Sequence, residues 1–111
     1  MNALDKVQLK GIAASPGVAT GIVKVVHGAQ DSAKFNEGDI LVAEVTEPTT
    51  VMMMNKAAAI VTDRGGITSH AAVISRELGV PCVTATKTAT TELKDGLTVR
   101  VDGTSGEVHQ V

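Results

Sequence analysis

Ala57-Ala58-Ala59-Ile60-Val61-Thr62 runs without a break into Asp63-Arg64-Gly65-Gly66, and Ile67-Thr68-Ser69-His70 then opens the stretch Ala71–Leu78. A continuous apolar run that ends in polar residues suits a strand buried on both faces. Asp63–Gly66 reads as a loop. Ser69–Leu78 is the best helix in the chain, with Ala71, Ile74, Ser75 and Leu78 on one stripe and Arg76 and Glu77 outside it. Gly79 is placed to cap its C-terminus, and Pro81 stops any continuation. A buried strand that passes through two glycines into a helix predicts an α/β fold.

Working outward, Val7–Ala14 stops at the turn triplet Ser15-Pro16-Gly17, and Val18–Val26 follows as a strand rich in β-branched residues. The two read as an opening hairpin. Ala29–Gly38 is polar and reads as loop, and Asp39–Val45 as a short apolar strand. Pro48 suits the first turn of a helix that runs to about Lys56. Pro81–Ala85 is a further strand. Leu97–Val101 and Glu107–Val111 are predicted to pair around Asp102-Gly103-Thr104-Ser105-Gly106. No repeat and no linker divides residues 1–111, so they read as a single domain.

The composition narrows the function. Of 111 residues 43% are apolar, yet Phe35 is the one aromatic, so the core is built from Val, Ala, Ile and Leu. Ten Lys and Arg against twelve Asp and Glu give a net charge of −2. With no basic cluster and no aromatic platform for bases, nucleic-acid binding is not expected. The longest uninterrupted hydrophobic stretch, Ala57–Val61, is far short of the ~20 residues that span a bilayer, so no membrane partner is expected. Met1–Lys6 loses its apolar character too early for a signal peptide. Cys82 stands alone, which leaves no intramolecular disulfide and no cysteine cluster for a metal. The expectation is a cytoplasmic protein.

The chemistry centres on the strand–Gly-Gly–helix junction. Gly65 and Gly66 allow close approach of backbone to an anion and give access to positive φ. The helix begins near Thr68–His70, where unpaired N–H groups and the helix dipole favour negative charge. That positive end disfavours imidazolium, so His70 is kept neutral and nucleophilic near pH 7, and the same N–H groups would stabilise a phosphoryl group on the ring. Arg64 is a candidate for a charge-assisted contact to phosphate oxygens. Bland readings stand beside these. A histidine at a helix start also serves as a capping or solvent-exposed residue, and Thr68 and Ser69 are both good N-caps. Arg76 and Glu77 read as a solvated helix face, Cys82 as a small buried hydrophobe and Met52-Met53-Met54 as packing. His27 and His109 receive no role.

Thr62 through Pro81 as a whole closely resembles the phosphohistidine signature of the phosphoenolpyruvate-utilising enzyme mobile domain. That swivelling domain occurs in phosphoenolpyruvate synthase, pyruvate phosphate dikinase, enzyme I of the sugar phosphotransferase system and rifampin phosphotransferase. The resemblance extends to Gly11–Gly21, similar to the family's opening hairpin, and to Thr46-Glu47-Pro48, similar to its threonine–proline helix start. Asp102–Val108 is similar to its closing hairpin. In two places the chain departs from the family. Val83-Thr84-Ala85-Thr86 stands where many relatives read Val-Val-Gly-Thr, and Ser75 where they often carry alanine.

The resemblance implies a compact β/β/α swivelling phosphohistidine domain. Its active histidine, by position His70, takes a phosphoryl group at one site and delivers it at another to an acceptor such as pyruvate. Gly65 and Gly66 match the family's loop glycines, Arg76 its helix arginine, and Thr68 a target of regulatory phosphorylation. With Arg64 and Ser69 from the reading of the junction, Gly65, Gly66 and Thr68 make up the candidate phosphate loop. The domain itself is expected to bind no cofactor or metal. Mg²⁺ and ATP or phosphoenolpyruvate belong to partners: an ATP-grasp nucleotide-binding domain and a phosphoenolpyruvate/pyruvate-binding barrel. The chain would thus be a phosphotransferase component, incomplete without those domains or chains. Two rivals are a protein-to-protein phosphate relay of the enzyme I kind and a non-catalytic docking or regulatory module that kept the fold.

Overall fold

The computed structural model describes residues 6–111; the reading of Met1–Asp5 against a signal peptide lies outside them. In chain order the elements are β1 (Lys6–Lys10), β2 (Ile12–Ser15), β3 (Val18–Val26), β4 (Ile40–Ala43), α1 (Val51–Lys56), β5 (Ala59–Thr62), α2 (His70–Leu78), β6 (Cys82–Thr84), α3 (Ala89–Glu92), β7 (Thr98–Asp102) and β8 (Glu107–Gln110). The strands form one eight-stranded sheet in the order β1-β8-β7-β3-β4-β5-β6-β2. This is the mixed α/β architecture the sequence predicts. Its two ends, β1 and β2, are one stretch of chain bent at Gly11, so the sheet closes on itself.

The closure corrects one expectation. Val7–Ala14 and Val18–Val26 do not form an opening hairpin. Instead β1 pairs antiparallel with β8 and β2 with β6, while β3 pairs with β7 and β4. The reason lies at two corners. A Cβ on Gly11 would collide with the Thr84 carbonyl, and one on Gly21 would come within 2.6 Å of the Gly38 carbonyl. Bare backbone lets each long strand turn there and change partners. Thus β3 runs antiparallel to β7 through Val18–Ile22, then parallel to β4 through Val23–Val26. The closing hairpin forms as predicted, with Val101 opposite Val108.

The parallel strands β4 and β5 are buried at every position. Their alternate residues feed two cores. Ile40, Val42 and Val61 face a cluster with Leu93, Val99 and Val108, whereas Leu41 and Ile60 face one with Met53, Met54, Ala71 and Ala72. The second cluster seats α1 and α2 on the sheet. Pro48–Thr50 forms a 3-10 turn that leads into α1, and Met52 is exposed while its two neighbours are buried. On α2 the buried residues are Ala71, Ala72 and Ser75. Leu78, expected on the buried stripe, is 38% exposed as the last residue of the helix. Gly79 closes the helix in the left-handed region at φ 72. Two helical pieces come where the sequence reading had none: a 3-10 segment at Ala29–Lys34 and α3.

Candidate functional site

The strand β5 ends at Thr62, the loop 63–69 follows, and α2 starts at His70. Ser69 is the N-cap: its hydroxyl accepts from the Ala72 N–H at 3.4 Å and donates to the Gly66 carbonyl at 2.8 Å. Thr68 is exposed and does not cap the helix. His70 is therefore the first residue of a nine-residue helix. Among the described residues, its N–H and that of Ala71 have no acceptor. The imidazole is half-buried and oriented by a partner the sequence reading did not assign: Nδ1 lies 2.8 Å from the Thr46 hydroxyl. Thr46 is itself buried, on the turn that follows β4.

The two glycines divide the work differently from expectation. Gly65 has φ +129, and a Cβ there would meet Ser69 Oγ at 3.0 Å. Gly66 has no positive φ, and open space surrounds its Cα. Arg64, the candidate phosphate ligand, instead pairs with Glu44 at 2.7 Å, both side chains more than 60% exposed. Such a pair contributes little to stability and exchanges readily. Arg76 is no idle surface residue. Its guanidinium donates to the Ala14 carbonyl at 2.8 Å and to the Ile67 carbonyl at 2.7 Å, tying the loop before His70 to β2.

The remaining candidates keep their bland readings or gain structural ones. Cys82 is fully buried, and burial pushes its thiol up to about 11, which makes it a poor nucleophile. His27 is exposed, and His109 Nε2 lies 3.1 Å from Glu107 on the antiparallel part of the sheet. Among the described residues no three His, Cys, Asp or Glu side chains are grouped to hold a metal ion. No helix among them is long and apolar enough to cross a membrane.

The site is a half-buried histidine at an open helix N-terminus, joined by a glycine loop to a buried parallel strand. Comparison with known proteins meets the same stretch. The family profile described as "PEP-utilising enzyme, mobile domain" matches residues 35–106. The chain belongs to that family. This mobile domain is 56% identical over 105 residues to a probable phosphoenolpyruvate synthase of Archaeoglobus fulgidus and to the phosphoenolpyruvate synthase of Pyrococcus furiosus. Each match covers 95% of this chain but only 14% and 13% of the relative, so the chain spans about one-seventh of their length. A solution structure of Enzyme I aligns with a TM-score of 0.58 and 35% identity, covering 65% of this chain and 30% of that one.

Proposed function

We propose that residues 1–111 act as one phosphohistidine-carrying mobile domain in a phosphoenolpyruvate synthase- or dikinase-like system. The observation that supports this best is the hydrogen bond between Thr46 Oγ1 and His70 Nδ1. With the proton on Nδ1 donated to the hydroxyl, the lone pair stands on Nε2. Nε2 attacks phosphorus in line. The N–P bond forms as the bond from phosphorus to the donor's leaving oxygen breaks, and Nδ1 keeps its proton throughout. The unpaired N–H groups of His70 and Ala71, at the positive end of α2, are then available to the new anion. Delivery reverses these steps, and the acceptor oxygen, such as that of pyruvate enolate, takes the phosphoryl group.

Phosphoryl transfer rests mainly on positioning and on charge stabilisation. This domain supplies the nucleophile and its orientation. An ATP-grasp domain and a phosphoenolpyruvate/pyruvate barrel, on the same longer protein or on other chains, supply Mg²⁺, nucleotide clamps and the acceptor site. Arg64, half free on the surface, would trade Glu44 for phosphate oxygens when such a site closes over the loop. Gly65 and Ser69 hold the loop in shape, and Thr68 offers an exposed hydroxyl for regulatory phosphorylation. The high identity to two phosphoenolpyruvate synthases favours this system over an enzyme I-like relay.

The test is labelling with partner domains present, using [γ- or β-³²P]ATP in one arm and labelled phosphoenolpyruvate in the other. Label is expected on His70 alone, lost in mild acid and stable in alkali. His70→Ala abolishes it and still folds, with a melting temperature lowered only by the loss of Thr46's partner. Transfer onward to pyruvate supports the synthase reading, whereas transfer to a histidine of another protein supports the relay. Label on His27 or His109 instead of His70 overturns the assignment.

A further inference from the structure

The Thr46–His70 bond joins the segment after β4 to the first residue of α2, so something must fix their spacing. Three consecutive residues at the end of β5 do this. The Asp63 N–H donates to the Ala43 carbonyl at 3.1 Å, and the Arg64 N–H to the Glu44 carbonyl at 3.0 Å. These bonds carry the β5–β4 ladder onward until it reaches the turn that bears Thr46. From the other side, the Thr62 carbonyl accepts from both the N–H and the hydroxyl of Thr86, at 3.1 and 2.9 Å. The Asp63 carbonyl accepts from the Lys87 N–H at 2.9 Å.

The Asp63 carboxylate lies at the centre of this arrangement. Asp63 is only 8% exposed, and its carboxylate accepts two bonds from one residue, the Thr90 N–H at 2.9 Å and the Thr90 hydroxyl at 2.5 Å. Thr88, the N-cap of α3, makes no side-chain cap of its own, so Asp63 supplies that cap from a distance. A buried carboxylate with charge-assisted bonds to one segment, and its own backbone in the ladder of another, locks both in register.

We propose that Asp63 is a positioning residue for His70. Its carboxylate, bound to Thr90, fixes the β5 end against the 86–90 segment. The backbone N–H groups of Asp63 and Arg64 fix the same end against Ala43 and Glu44, and together these contacts set the distance across which Thr46 orients the imidazole. The inference rests on His70 being the phosphoryl acceptor, but its structural half is separately readable.

The experiment uses the full chain with potassium phosphoramidate, a small phosphoryl donor that needs no partner domain, and follows each histidine by ³¹P and ¹⁵N spectroscopy. In the native protein His70 is expected to react faster than exposed His27, with imidazole nitrogen shifts of a single Nδ1–H tautomer. Asp63→Asn, nearly isosteric, is expected to slow His70 about tenfold, the size of effect a small misplacement produces, and to mix the tautomers. His27 in the same molecule keeps its rate. Thr90→Val acts in the same direction but more weakly, Thr90→Ser restores the native behaviour, and Asp63→Asn with Thr90→Val is no slower than Asp63→Asn alone. If Asp63→Asn does not fold, the Thr90 pair decides. Unchanged nitrogen shifts and an unchanged His70-to-His27 ratio overturn the proposal, as does equal slowing of both histidines. If native His70 reacts no faster than His27, the carrier reading fails, while the tautomer shifts still judge Asp63.

Discussion

The hydroxyl of Thr46 lies 2.8 Å from Nδ1 of His70 across 24 positions of sequence. A neutral imidazole with a proton on Nδ1 is a nucleophile at Nε2; without the bond, both tautomers populate and the ring is free to turn. Thr46→Val keeps the shape and removes the partner. Phosphorylation of His70 should slow about 10–100-fold, a range set by loss of orientation. Thr46→Ser should stay near the native rate. Steady-state labelling of the two variants beside native protein makes the comparison.

Gly65 and Gly66 should separate cleanly. Gly65→Ala forces a side chain into φ +129 and against Ser69 Oγ at 3.0 Å, which also disturbs the N-cap of α2. The cost is about 1–3 kcal/mol, visible as a drop of several degrees in Tm together with slower labelling. Gly66→Ala meets open space at an ordinary φ and should stay within about 0.5 kcal/mol of native. Equal melting temperatures for both variants would remove Gly65 from its role in shaping the loop.

Much of this region is legible in the sequence because its signals are local. Ser69, Gly79 and Pro81 bound α2 through backbone preferences that act within a few residues, and Asp102–Gly106 declares its hairpin in the same way. What was missed depends on partners far along the chain. Thr46 meets His70, Arg76 reaches the Ala14 carbonyl 62 positions away, and Asp63 caps α3 from 27 positions away. Helical periodicity gives the direction of Arg76 but not its acceptor. The opening hairpin failed for a related reason. The chain does break at Pro16-Gly17, but the strands on either side take different partners: β2 pairs with β6, while β3 pairs with β7 up to Ile22 and with β4 from Val23.

Ala85 sits in the left-handed region at φ 59, beside Lys87 at φ 75. An L-residue pays roughly 1 kcal/mol there, and glycine does not. Ala85→Gly should therefore raise stability by up to about 0.5 kcal/mol, after subtracting the entropy glycine adds to the unfolded chain. Chemical denaturation with an unchanged m-value would show it. A lower midpoint would mean that the unfolded-state entropy outweighs the strain.

Cys82 gives a pH signature. Burial raises its thiol from 9.0 to about 11 in the folded protein. Between these values the unfolded chain has lost the proton that the folded chain retains. The stability from this group is complete below pH 9 and is lost as pH rises through 11, at up to about 1.4 kcal/mol per pH unit. Cys82→Ala melts lower at neutral pH because of the cavity, yet should lose less between pH 9 and 11 than native protein does. Parallel alkaline stability curves for the two would overturn this. Below pH 9 the folded thiol should also resist disulfide reagents that unfolded chain consumes at once.

Thr68 is the residue whose two readings the structure pulls apart. Capping falls to Ser69, so Ser69→Ala should cost about 1 kcal/mol of stability and Thr68→Ala much less. Thr68 is exposed, two residues before His70, at the positive end of α2. A phosphate there carries about −1.5 to −2 charge and would compete for the N–H groups proposed to receive the phosphoryl group. Thr68→Asp imitates part of that charge. At an effective dielectric of ~20 and a separation of ~7 Å, one carboxylate opposes an incoming phosphoryl anion by about 2 kcal/mol per unit charge before screening. After screening, a barrier increase of about 1 kcal/mol remains, which slows transfer roughly fivefold to tenfold. The slowing should shrink as salt is raised, because the charges are exposed to solvent. Thr68→Val, without charge, should transfer at nearly the native rate and melt at nearly the native temperature. If Thr68→Asp transfers phosphate as fast as Thr68→Val at low ionic strength, charge at this position does not govern the site, and Thr68 is an exposed loop residue with no regulatory part.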